Sequence, residues 1–315
     1  MDLKESRTTS EVPSSPTNTN NSTDGVATCS DGERSTINTA PSSIASMSHT
    51  SSALIDPSKT ANISVRTYIY FLPYPLPKNT PVPYTPNLPD KNPLNLPTTL
   101  FEPTWTLVLT SPKSTFVDLR FLKPVSLHHD KHADELEWGF AGHSSSRPTP
   151  APQVHHSTWT HFVDSRYPAA HPRIPLDEGD MYAISPALTL EHGHAFHPHL
   201  QAVKSHEEMW KDQVIVSTQS SGTTVCAVMR LQDDTEGFRG VVIRLGQYVQ
   251  GIVVVGNEVT AERWEWMHDG GWKRSKRVGR QLIPCGVVTT MQGVVGGGTV
   301  KYGEFEWRVE EVWEW

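Results

Sequence analysis

Between Val225 and Trp266 the chain passes through four short apolar runs, Val225–Arg230, Val241–Leu245, Val249–Val255 and Val259–Trp266. Acidic and glycine punctuation separates them, notably Asp233-Asp234-Thr235-Glu236-Gly237 and Gly256-Asn257-Glu258. Side chains of a strand alternate between faces, so period-two runs cut by such turns specify an antiparallel meander. Phe305-Glu306-Trp307-Arg308-Val309 adds a last strand. A weaker copy of the pattern spans Trp105 to Phe140, where Trp105–Leu109 meets Phe116–Phe121 across Thr110-Ser111-Pro112-Lys113. Proline within so short a break is hairpin chemistry. Two β-rich units with almost no helical periodicity predict an all-β protein of two tandem β-barrels, since closure removes exposed strand edges.

Three segments are expected. Residues 1–60 are rich in Ser, Thr, Asn and Gly, bury too little apolar surface to offset the entropy of ordering, and read as a disordered tail. Its alternative role is a phosphorylation platform at Ser42, Ser43 and Ser46, where each phosphate would add up to about two negative charges. Residues 61–212 are the expected first barrel and 213–315 the second. The first opens with alternating Ile63–Phe71 and then enters a proline-dense stretch from Pro73 to Pro103. Proline removes ladder donors and fixes φ, so this stretch reads as a long hairpin connection, with an SH3 or WW ligand at Pro83-Tyr84-Thr85-Pro86 as the alternative. Leu136–Phe140 and Trp159–Val163 alternate as strands, with a polar connection from His143 to Ser157 between them. Asp177-Glu178-Gly179-Asp180 reads as a turn, the histidines around His192–His199 as irregular chain, and Glu207–Trp210 as a helical turn or a closing strand.

Charge and motif content narrow the chemistry. A net charge of −7 argues against a general phosphate-backbone binder. Cys29, Cys226 and Cys285 make no C-x-x-C pair, which fits a reduced compartment. No apolar h-region follows Met1 and no long apolar run occurs, so a soluble intracellular chain without membrane insertion is expected. His128-His129, His155-His156, His192, His194, His197 and His199 invite a metal, but a metal needs ligands in fixed geometry, which loop-borne imidazoles lack. Asp164 near His161, or Asp177, Glu178 and Asp180, have the residue types of an acid/base pair, yet only environment makes such a pair catalytic. No G-x-S-x-G occurs, and Gly296-Gly297-Gly298 lacks the Lys-Ser/Thr of a phosphate loop. The expectation is no catalysis, no metal and no cofactor. Lys273-Arg274-Ser275-Lys276-Arg277 reads as a solvated hairpin tip, with a nuclear-import signal as the alternative. Inward tryptophans such as Trp264 and Trp266 are expected to fill a barrel, the alternative being to line a ligand cavity. Trp313 and Trp315, if exposed, would make a partner-binding anchor.

Several blocks carry a resemblance: WTLVLTSPKSTFVDLR (Trp105–Arg120), WGFAGHSS (Trp138–Ser145), WTHFVDSR (Trp159–Arg166), DEGDMY (Asp177–Tyr182), EMWKD (Glu208–Asp212), RLGQYVQG (Arg244–Gly251) and ERWEW (Glu262–Trp266). In this order they resemble the fungal family of two-barrel proteins named for an interaction with a yeast casein kinase I homologue, over roughly residues 63–315. The resemblance implies tandem lipocalin-like barrels, a cytoplasmic and nuclear location, and protein binding without established catalysis. It also implies a link to the cytosolic side of the protein-translocation machinery, and it carries over no catalytic residues. The functional expectation is a non-enzymatic binder of protein partners, with a small-molecule or lipid carrier using a barrel cavity as the alternative.

Overall fold

The computed structural model describes residues 55–124, 135–172, 174–197 and 200–315. Ser42, Ser43 and Ser46, Cys29, His128-His129 and His199 lie outside the described residues. The expected tail, residues 1–60, overlaps described chain at its end. There a turn of helix, α1 (Pro57–Thr60), is capped by Asp56, whose side chain accepts from the Ser58 N–H.

Eight strands follow: β1 (Asn62–Leu72), β2 (Thr104–Thr110), β3 (Thr115–Leu122), β4 (Leu136–Pro148), β5 (Val154–Asp164), β6 (Asp177–Ser185), β7 (Leu188–His197) and β8 (Ala202–Gln213). Each pairs with the next, and β8 returns antiparallel to β1, closing an up-and-down barrel. Seven more strands form the second unit: β9 (Val225–Asp233), β10 (Phe238–Leu245), β11 (Tyr248–Val255), β12 (Glu258–Met267), β13 (Gly271–Val278), β14 (Thr299–Tyr302) and β15 (Phe305–Glu314). Their order is β13-β12-β11-β10-β9-β15-β14. The protein is therefore all-β, with one closed barrel and one open sheet.

The expectation of a second closed barrel is corrected by that order. Between β13 and β14 the chain forms a short helix, α2 (Cys285–Thr290). Ile283, Cys285 and Val288 of this segment pack with Ala227, Met229, Val249 and Val253, and with Trp307 of β15. Side-chain packing seals that face in place of a closing strand. Of the tryptophans expected to fill a barrel, Trp264 packs half-buried against this cluster and Trp266 lies half-buried against Trp272, so neither fills a closed interior. Trp307 is the fully buried tryptophan of the unit. The basic run lies along edge strand β13 and not at a hairpin tip. Like-charged side chains on a free edge resist pairing with another strand.

The main apolar core lies outside the barrel, between it and the sheet. Ile63, Leu107, Leu109, Val117, Leu119 and Phe121 point out of the barrel and meet Val228, Val241, Ile243, Ile252 and Val254. A buried polar clamp crosses this core. Gln250 Nε2 donates to the carbonyls of Leu107 at 2.9 Å and Val117 at 3.1 Å, and Arg263 donates to the Leu119 carbonyl at 2.8 Å. Burial lowers the Arg263 pKa to about 10. Glu311 of β15 fastens the β2–β3 turn, accepting from the Ser111 and Thr115 hydroxyls and the Lys113 N–H.

The proline-dense stretch is the long β1–β2 connection, as expected, and it is packed. Buried Glu207 accepts the N–H groups of Tyr84 at 2.7 Å and Thr85 at 2.6 Å. Tyr84 is buried, and Leu96 covers the outward cluster of Tyr68, Tyr70, Leu190 and Met209. Cis bonds precede Pro75, Pro83 and Pro89.

Candidate functional site in the barrel bore

Alternation on a closed barrel sends every second residue inward. In β3, Val117, Leu119 and Phe121 face the sheet, so Phe116, Asp118 and Arg120 enter the bore. A register shift between Arg66 and Tyr68 in β1 keeps Arg66 inside while Tyr68 and Tyr70 turn outward. In β8, Glu208, Trp210 and Asp212 point in, and Glu207 and Met209 point out.

The inward residues form a buried ion network. Arg66 donates from Nε to Glu102 at 2.6 Å and from a terminal nitrogen to Glu208 at 2.7 Å. Arg120 binds Asp118 Oδ2 at 2.8 Å and 3.0 Å and reaches Glu208 at 3.4 Å. Its guanidinium lies 4.8 Å from the Trp138 ring and 5.4 Å from Phe140. Burial opposes the charge on Glu208, but Arg66 and Arg120 outweigh it and hold the carboxyl down at about 2. Burial wins at Asp118, whose pKa is raised, and at Asp177, raised to about 6. Glu191 is pushed well above the carboxylate range by burial and then by Glu208 and Asp177.

These side chains line a cavity of about 200 Å³ inside the barrel. Its floor is buried: Phe116, Asp118, Arg120, Phe140, Glu191 and Trp210. Its mouth is formed by half-buried Asn62, Thr110, Trp159, Thr189 and Asp212. Beyond Arg120 a smaller pocket of about 60 Å³ holds Asp177, Glu191, His197, His206 and Glu208. Gly179 makes room for the site, because a Cβ there would stand 2.9 Å from Glu191 Cγ.

Several sequence expectations are corrected here. Asp177–Asp180 begins β6, with Asp177 opposite Trp159 and Gly179 opposite Gly193, so it is not a turn. His192, His194 and His197 sit on β7 and His155 and His156 on β5, so they are ladder-held and not loop-borne. His143–Ser157 is mostly hairpin, pairing as far as Pro148 opposite His155. Strands β6 and β7 and the outer part of the β4–β5 hairpin lack apolar alternation because they lie away from the main core, which β4 and β5 reach only near Ala141 and Val163. This is why composition reads them as loops. Glu207–Trp210 is the closing strand. Among the described residues no three His, Cys, Asp or Glu side chains are grouped to hold a metal.

His161 and Asp164 do meet, with Nδ1 2.9 Å from Oδ2. Asp164 also accepts from Trp138 Nε1 and the Arg166 N–H, while His161 stacks on Phe140 at 4.3 Å. The pair therefore braces the bore wall. Trp313 near the end of β15 and Trp315 just past it are half-buried and pack against the inter-sheet core. Trp313 Nε1 donates to Glu311 at 2.7 Å, and Trp315 exchanges backbone hydrogen bonds with Thr224. Sequence motifs do not mark the inward set of Asp118, Arg120, Glu191 and Glu208. A signal exists in β3, where Asp118 and Arg120 alternate with apolar Val117, Leu119 and Phe121, a pattern that open sheets show toward solvent. Strands β7 and β8 carry polar residues on both faces and give none.

The family model described as Protein HRI1 matches residues 88–311. The chain belongs to that family. The match spans both the barrel and the open sheet. The chain is also similar to a solved structure, the crystal structure of uncharacterized protein YLR301w from Saccharomyces cerevisiae. That likeness has a TM-score of 0.55 at 17% identity, covering 80% of this chain and 99% of that one, and it speaks for the fold. No curated protein matches the chain.

Proposed function

We propose that this protein is a non-catalytic binding protein and that the bore of its closed barrel receives a small molecule. One observation carries the reading: the cavity of about 200 Å³ has a buried floor and a half-buried mouth. For comparison, a cavity of about 150 Å³ in another protein accommodates benzene. Native mass spectrometry of the full chain purified from its own source tests it. A bound mass that is absent from a Thr189→Trp variant, which narrows the mouth, supports the reading. A bare protein that also fails to take up small probes overturns it.

Membership in the family supports a second reading, binding of a casein kinase I homologue or a translocation-machinery component in the cytoplasm and nucleus. The described residues bear on how such contact would be made. Trp313 and Trp315 are committed to internal packing, so a partner would meet only their exposed edges. Capture of the kinase or translocation component by the full chain and by residues 61–315, compared by quantitative mass spectrometry, tests this reading and the role of Ser42, Ser43 and Ser46. Loss of both captures would sink it.

A further inference from the structure

We propose that the bore recognises a small organic cation, an ammonium or amidinium group carried on an apolar body about the size of one aromatic ring. This inference rests on the reading of the bore as a receptacle and adds the chemistry of its occupant.

The first observation is an unpartnered acceptor. Asp118 is 2% exposed and lines the cavity, and its Oδ1 has no hydrogen-bond partner. A buried acceptor left unmade is costly, and an N–H donor in the cavity would satisfy it. The second is a local imbalance. Asp118, Asp177, Glu191 and Asp212 line the cavity against a single lining cation, Arg120. That guanidinium is already engaged with Asp118 Oδ2 and Glu208. An anionic occupant would find no free cation there and several carboxyls. A metal ion would find no grouped set of three ligands among the described residues. The third observation is the wall: Phe116, Phe140, Trp159 and Trp210 surround the same space, and aromatic faces attract cations. Arg120 over Trp138 and Phe140 shows a cation already held this way within the bore.

The titration of the wall agrees with this geometry. Asp177 faces Arg120 and His161, which favour its charge, and Glu208, Asp118 and Glu191, which oppose it. Burial tips the balance toward the protonated form. A cation in the cavity supplies the missing counter-charge, so binding releases protons near pH 6.

The test is calorimetric titration of the full chain with benzylamine, benzyl alcohol and benzoate, which share a ring and differ in charge. Benzylamine is expected to bind at least about tenfold more tightly than the other two, and to release protons in buffers of differing ionisation enthalpy at pH 6. Asp118→Asn and Glu191→Gln should each weaken benzylamine about tenfold, and Thr189→Trp should abolish binding. Circular dichroism checks each variant's fold. Glu191→Gln keeps an acceptor for Trp210 Nε1 and carries the test if Asp118→Asn does not fold. If benzyl alcohol or benzoate binds as well as benzylamine, the cation is wrong and the receptacle stands. If none of the three binds, both fall. If benzylamine binds equally to wild type and all variants, it sits on the surface and the proposal is overturned.

Discussion

Replacing Asp177 by Asn should stabilise the protein at pH 7 and leave it unchanged well below pH 3.8. The carboxyl titrates at about 6 in the folded protein against an ordinary 3.8, chiefly because burial penalises its charge. Its folded pKa is raised, so the folded state holds the proton more tightly than the unfolded chain. The resulting stabilisation is full below pH 3.8 and is lost as pH rises through about 6. A shift of roughly two units corresponds to about 3 kcal/mol at about 1.4 kcal/mol per unit. At pH 7 the wild type therefore carries a penalty of up to about 3 kcal/mol that a neutral amide avoids. Asn also places a donor where the proton stood, so the gain should be about 1–3 kcal/mol. For a domain of this size it would appear as roughly 2–4 °C in Tm per kcal/mol. Urea unfolding of both proteins at half-unit steps, over a range extending well below pH 3.8 and up to about pH 8, would show two curves that coincide at the acid end and part progressively between pH 3.8 and about 6. An Asn variant that is less stable at pH 7, or offset equally at every pH, would refute the assignment of Asp177 to a desolvated position.

Glu208 supplies the opposite limb: its carboxyl is held at about 2, so the stability it confers is present above pH 4.5 and lost as pH falls through about 2. Glu208→Ala should destabilise by about 3–5 kcal/mol at pH 7 in chemical denaturation, because Arg66 and Arg120 lose their shared partner. Glu311→Ala should cost about 2–3 kcal/mol by stranding the Ser111 and Thr115 hydroxyls and Trp313 Nε1, and hydrogen exchange should quicken first in the β2–β3 turn. Gly179→Ala should cost about 1–3 kcal/mol by driving a Cβ against Glu191, and it should weaken whatever the bore holds by a measurable shift in midpoint concentration.

Much of the fold is legible in the sequence and much of the site is not, for one physical reason. Strands whose outward face meets the main core announce themselves: Leu107, Leu109, Val117 and Leu119 alternate cleanly because they pack on Ile243 and Ile252. Strands β6 and β7 carry Asp177, Glu178, Asp180, His192 and His194 at adjacent or alternate positions, with only Leu190 deeply buried on their outer face. Their ladders are set by pairing with β5 and β8, which composition does not record. The same logic hides the difference between the two units. The motif around Arg120 and that around Arg244 look alike in sequence, and both arginines are buried. Arg120 enters a cavity, whereas Arg244 donates to the carbonyls of Val288 and Thr289 in the α2 segment. The meander pattern and the liability of open strand edges predict closure in both units alike. It was realised where β8 reached β1 and pre-empted where α2 filled the gap.

The position of the core decides what the bore is available for. A small barrel that folds around its own interior must fill that interior with apolar side chains. Here the main apolar burial is between the barrel's outer wall and the open sheet, and the proline-dense connection covers another part of that wall. The interior is thus released from the main packing task and can hold Arg66, Asp118, Arg120, Glu191 and Glu208 around a void. Such an interior is expensive: replacing buried ion networks by apolar side chains is commonly neutral or stabilising by about 1–4 kcal/mol. Asp177 and Glu191 deepen the cost, since each is destabilised when ionised in its own cavity. A substitution such as Asp177→Asn should therefore improve the empty barrel while impairing its response to a cation. Stability and uptake measured on the same variant would move in opposite directions, which a purely structural role for the carboxyl does not predict.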